Sequence, residues 1–168
     1  MRRSQSSNLF TNLFTTFRAC AMITASTLAA GCGDTTTALI PDGPVSIAIS
    51  QSLTGQTTSA GAFTMTGTRA DSGSTTEELT FGGPLSQSPV PVTFVRTLTG
   101  RNGTMTVKGS ATLTFTSQTA ATLAGTWTVE KGTGVYASTT GTGSITGSAN
   151  FGVTPPTGVL TYAGRLEK

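Results

Sequence analysis

Residues 104–116 read TMTVKGSATLTFT. Met105, Val107, Gly109, Ala111, Leu113 and Phe115 occupy every second position, and Thr104, Thr106, Lys108, Ser110, Thr112, Thr114 and Thr116 fill the positions between. A period of two puts successive side chains on opposite faces of an extended chain. A helix would instead group residues three and four apart, which here would mix threonine with leucine all round. The stretch therefore predicts a strand with one buried and one wet face. At about twelve residues it exceeds the usual strand of five or six, and Gly109 marks an expected bend.

The same rhythm runs outward in both directions. Upstream lie Val45, Ile47, Ile49 and Leu53, with Gln51 the polar exception on that face, then Phe63 and Met65. Leu79 and Phe81 follow an expected turn around Asp71-Ser72-Gly73, and Val92, Phe94 and Leu98 follow a Pro- and Ser-rich loop. A turn at Gly100-Arg101-Asn102-Gly103 leads into the opening stretch. Downstream come Leu123, Trp127 and Val129, then Ile145, Ala149 and Phe151, then Leu160, Tyr162 and Leu166. Threonine suits strands and glycine marks turns. The pattern gives about eight strands in about 125 residues. An antiparallel meander of this size closes into a barrel or packs as a sandwich, because an open sheet leaves exposed edges. The expected fold class is thus all-β, an antiparallel barrel of about eight strands, with a β-sandwich as the alternative. An eight-stranded barrel is either just filled by its side chains or able to hold one small ligand.

The first 44 residues of the 168 read differently. Residues 1–18 carry Arg2, Arg3 and Arg18 and no acid, and Ala19–Ala30 is an uncharged, mostly apolar run too short to span a bilayer. The run ends Leu28-Ala29-Ala30-Gly31-Cys32, which resembles the lipobox of bacterial lipoproteins. That resemblance implies a signal peptide over 1–31, lipidation of Cys32, and export to the cell envelope with membrane attachment through that cysteine. Gly33, where sorted lipoproteins retained at the inner membrane carry Asp, implies the outer membrane in a host that has one. An ordinary signal peptide cut nearby is the alternative. Pro41, Gly43 and Pro44 make 32–44 a tether ahead of a barrel domain at 45–168.

The formal charge of +3 belongs to the leader. From Cys32 onward Arg69, Arg96, Arg101, Lys108, Lys131, Arg165 and Lys168 face Asp34, Asp42, Asp71, Glu77, Glu78, Glu130 and Glu167, a balance of zero. No basic stripe is left for phosphates, which argues against a nucleic-acid partner. There is no histidine, and only two cysteines. Cys20 goes with the leader and Cys32 is taken by the anchor. A histidine triad, a histidine-ligated metal and a thiolate cluster are thereby excluded, and no cofactor is expected.

Gly125–Gly147 reads GTWTVEKGTGVYASTTGTGSITG. Its centre, Gly132-Thr133-Gly134-Val135-Tyr136-Ala137 followed by Gly141-Thr142-Gly143, resembles the glycine-rich turn of the dirigent and allene oxide cyclase barrels. The likeness covers about twenty residues. It implies a barrel, a tendency to self-associate, and a cyclase- or isomerase-like activity on a small apolar ligand. It carries over no catalytic residue, because the matched segment does not contain the families' chemistry. Read physically, Gly132 and Gly134 permit positive φ and Tyr136 packs back beneath a tight turn. The segment is a fold-determining turn or a binding loop. It is not a phosphate loop, since no Lys-Ser/Thr pair follows.

Two charges fall on apolar faces. Arg96 shares parity with Val92, Phe94 and Leu98, and Glu77 with Leu79 and Phe81. A charge there is costly unless paired. The expectation is that both point inward and meet near one barrel mouth, where they would orient a polar group of a ligand; alternatively both sit at strand ends and reach water. Glu130 shares the outer parity of Thr126 and Thr128 and reads as a solvated charge. Trp127 and Tyr162 read as core, with stacking on a sugar ring as the alternative. The sum is a non-enzymatic binding or structural module, with an enzyme as the rival. An apolar cavity holding an inward carboxylate would favour the rival, and a filled interior would leave only the structural module.

Overall fold

The computed structural model describes residues 41–168. The leader at 1–31, Cys32 and most of the expected tether lie outside the described residues. Eight strands follow one another: β1 (Gly43–Leu53), β2 (Thr58–Gly67), β3 (Asp71–Phe81), β4 (Val90–Gly100), β5 (Thr104–Phe115), β6 (Ala120–Gly132), β7 (Thr140–Asn150) and β8 (Thr157–Glu167). Each pairs antiparallel with its neighbours in sequence, and β8 returns to β1, so the meander is a closed barrel. The barrel alternative holds and the sandwich does not. Closure leaves no ladder edge unpaired, which a chain this rich in threonine and poor in charge would otherwise expose to aggregation.

Alternation dictates the two faces. Along β1, Val45, Ile47 and Ile49 are buried while Ser46, Ala48 and Ser50 are exposed. Outward positions on the other strands carry mostly threonine and serine, such as Thr64, Thr112, Thr126, Thr142 and Thr161. The apolar face is therefore the inside, the reverse of a barrel that faces lipid.

Two expectations need correction. Gly43 and Pro44 belong to β1, paired with Leu166 and Arg165, so the barrel begins two residues earlier than 45. Asp71-Ser72-Gly73 is not a turn: Asp71 opens β3, and the chain reverses just before it. The register of the long central strand shifts at Thr106/Val107, two residues before Gly109, because β6 carries an extra residue, Glu130, between the partners Val129 and Lys131. Gly109 makes room for its neighbour, since an added Cβ would fall 2.7 Å from the Phe94 ring.

The connections at 68–70, 101–103 and 133–139 lie at one end, together with the start of β1 and the end of β8. That end is closed. Ile47, Met65, Leu98, Met105, Val107 and Leu166 fill it and are essentially inaccessible. Trp127 lies flat across the barrel wall, where Cβ atoms at Gly143 and Gly164 would sit 2.6 and 2.7 Å from its indole. The connections at 54–57, 82–89, 116–119 and 151–156 lie at the other end. There Leu79, Phe81, Phe115, Leu123 and Phe151 are only partly buried around a small cluster of Val90, Val92, Leu113 and Ala121.

Candidate functional site

The open end is a cup. Leu53, Phe81, Leu113, Leu123, Ala149 and Phe151 are among the residues that wall it, and Gln51, Glu77 and Tyr162 lie at its base. Its volume is about 70 Å³. An enclosed apolar cavity of roughly 150 Å³ takes benzene, so this one admits a slender group whose remainder projects through the mouth.

Arg96 and Glu77 face each other directly across the β3–β4 ladder and both point inward. The structure brings the two together, but not at a mouth. On β4, Arg96 sits between Phe94, which lines the cup, and Leu98, in the closed core; on β3, Glu77 sits between Thr75 and Leu79. The pair is thus mid-barrel, the floor on which the cup stands. Arg96 is 0% and Glu77 5% exposed, so neither reaches water from a strand end.

Burial at this depth demands partners. Arg96 Nη2 lies against Glu77 Oε1. Arg96 Nε donates to the Tyr162 hydroxyl at 3.1 Å, and Nη1 to Thr75 Oγ1 at 3.3 Å. Glu77 Oε2 accepts from Ser59 Oγ at 2.8 Å and from Gln51 Nε2 at 3.1 Å. Burial, reinforced by the Glu77 charge and opposed by Arg96, pushes the Tyr162 phenol up to about 12. Gln51 Oε1, by contrast, is buried and accepts no hydrogen bond among the described residues. Gln51 was visible in the sequence as the polar exception on the β1 face. Ser59 shares the parity of Phe63 and Met65, but it lies in the glycine-, serine- and threonine-rich stretch 55–61, whose composition reads as a turn and hid it.

The closed end has a polar lock. Asp71 accepts from the Tyr136 hydroxyl at 2.8 Å and from the backbone N–H groups of Ser72, Arg101 and Asn102 at 2.8, 3.0 and 3.4 Å. Burial opposes the charged carboxylate, but these donors outweigh it and hold its pKa below the ordinary value. Burial, with the bond to Asp71, drives the Tyr136 phenol well above its own ordinary value. The glycine-rich turn thus closes the barrel. Residues Gly134–Tyr136 form a single 3₁₀ turn, and Gly134 has φ of +60°. Gly132 does not share that conformation. It is glycine because an added Cβ would run into the carbonyl of Tyr136. Arg69, also buried here, donates to Thr139 Oγ1 at 2.8 Å.

The other candidates resolve simply. Trp127 and Tyr162 are core residues, stacked with ring centroids 6.1 Å apart, and offer no surface for a sugar. Glu130 is exposed, 3.7 Å from Lys108. Among the described residues no three histidine, cysteine or carboxylate side chains are placed to hold a metal. Comparison of the chain with protein-family models, curated proteins and solved structures finds no match.

Proposed function

We propose that this chain is an exported, membrane-anchored lipoprotein whose barrel binds the apolar end of a small ligand. The observation that carries the binding role is the one-ended cup: an apolar wall at the open end above a floor of paired charges. Small-molecule sites commonly combine apolar walls with a few placed polar groups. The anchor rests on the lipobox-like run ending at Cys32.

A cyclase- or isomerase-like enzyme is the second reading, favoured by the inward carboxylate of Glu77. The donors from Arg96, Ser59 and Gln51 already engage that carboxylate. A general base must hold a lone pair toward its substrate; the three donors occupy three of the roughly four acceptor sites of the carboxylate, so Glu77 has one site left for that role.

Xenon tests the cup. In nuclear magnetic resonance titrations of the mature protein it should shift the methyls of Leu79, Leu113 and Leu123 and leave those of Ile47 and Leu166 unmoved. Uniform small shifts would remove the cup as a site. Mass spectrometry of the mature N-terminus tests the anchor, and an unlipidated terminus would overturn it.

A further inference from the structure

The floor of the cup is one-sided in its hydrogen bonding. Gln51 turns its amide nitrogen to Glu77 Oε2. The opposite flip would set an amide oxygen against a carboxylate, so the network itself fixes the orientation. Oε1 is consequently left as a buried acceptor with no donor among the described residues. A buried group in that state is destabilising until a donor reaches it. The terminal torsion of glutamine is broad, so the amide can tilt toward an incoming donor while Nε2 keeps Glu77.

The cation of the floor does not balance this. Arg96 is not part of the cup lining: it is paired in charge with Glu77 and donates to Tyr162 and Thr75, although its Nη2 makes no well-formed hydrogen bond among the described residues. A ligand arriving from the mouth therefore meets the acceptors of Gln51 and Glu77 and the neutral hydroxyl of Tyr162 at the base of an apolar sleeve.

We infer that the cup selects slender apolar molecules led by an uncharged hydrogen-bond donor, above all a primary alcohol, and rejects the corresponding carboxylates. The inference rests on the proposed binding role of the cup. The donor enters first, bonds Gln51 Oε1, and leaves the alkyl body against Leu113, Leu123 and Phe151. A carboxylate would set its oxygens against two acceptors, with only the neutral Tyr162 hydroxyl in the lining to replace its hydration and the Arg96 cation behind it already paired with Glu77.

Three probes of one length separate the possibilities: 1-pentanol, 1-fluoropentane and pentanoate, titrated into the mature protein at neutral pH and followed by the methyl resonances of the cup. Partition into an apolar site alone favours the fluoro compound. The inference requires the alcohol to bind about tenfold more tightly than the fluoro compound, the worth of one net hydrogen bond. Pentanoate should bind more weakly still. Gln51→Leu should bring the alcohol-to-fluoro ratio close to one while keeping the fluoro compound bound. If that variant does not fold, the ratio in the unaltered protein decides alone. Equal binding of alcohol and fluoro compound, or tighter binding of pentanoate, would overturn the donor rule and leave the cup as an undiscriminating apolar site. Failure of all three to bind would overturn the binding role itself.

Discussion

The two ends of the barrel are built from the same strands with the same alternation, yet one is full and the other is not. At the closed end inward positions carry Ile47, Met65, Met105 and Leu166, all essentially inaccessible, and a carboxylate with four donors ties the connections together. At the open end inward positions are just as apolar, but Leu79, Phe81, Phe115, Leu123 and Phe151 are only partly buried around a small buried cluster. Alternation decides which way a side chain points; it does not decide whether the space it points into is filled. Two of the three closed-end connections are only three residues long, and glycines at positive φ stand in or beside all three, Gly67, Gly103 and Gly134, folding them tightly onto the core. At the open end, Phe151 and Pro156 of the 151–156 connection line the cup wall and leave its mouth open.

The sharpest way to break this contrast is to attack the floor that divides the halves. Removing one member of a buried ion pair leaves an uncompensated charge and costs about 3–5 kcal/mol. Arg96→Met should destabilise by that amount in urea unfolding, and the further change Glu77→Leu should recover most of it. A single-variant loss under about 1 kcal/mol would mean that water reaches the pair. Below that in size comes a direct comparison of the halves. Ile47→Ala should cost about 3–4 kcal/mol because the closed core cannot collapse around the cavity. Leu79→Ala should cost roughly 1–2 kcal/mol, since its site already borders open space. Equal losses would show that the ends are packed alike.

Much of this contrast was hidden in the sequence for physical reasons. Period two made the strands legible, and parity put Arg96 and Glu77 inside. Their depth was not legible, because parity gives a direction and the position along the barrel axis depends on the register of all the strands. The same limit made Asp71 look like part of a turn. It lies next to a reversal, and only the fold brings Arg101, Asn102 and Tyr136 to it. Gly132 and Gly134 stood out as a turn, but the division of labour between them needed the backbone of Tyr136 in place. Gln51 was visible as an inward polar residue, and its unmet oxygen was not.

The closed-end lock is open to pH as well as mutation. Tyr136→Phe removes one donor to Asp71 and should cost about 1–2 kcal/mol. The folded pKa of Asp71 is depressed, so its contribution is present above the unfolded value of about 3.9 and is lost as pH falls through the folded value. Tyr136→Phe should raise that folded value and shift acid unfolding to higher pH. At the alkaline side the signs reverse. Both tyrosines have raised folded values, Tyr162 to about 12. The unfolded chain ionises near pH 10, so stability should fall as pH rises from there toward 12. These are the chain's two tyrosines. The folded protein should therefore show no phenolate absorbance at pH 10.5, and a normal titration near 10 would contradict the burial of both rings.

The smallest expected change in stability comes from filling the cup. Ala149 lies on the cup wall and is only partly buried. Inserting a larger side chain into a packed core costs about 1–3 kcal/mol through strain. Ala149→Leu meets open space and gains apolar burial, so its net effect should stay within about 0.5 kcal/mol of zero. The same substitution should abolish the response of the cup methyls to xenon and to 1-pentanol. A matched change at the closed end, Val107→Phe, has no such room and should destabilise by about 1–3 kcal/mol. If both substitutions cost alike, the open end is as full as the closed one and a small-ligand role has no space in which to operate. If Ala149→Leu is neutral and silences binding, spare volume at one end is what distinguishes the two ends.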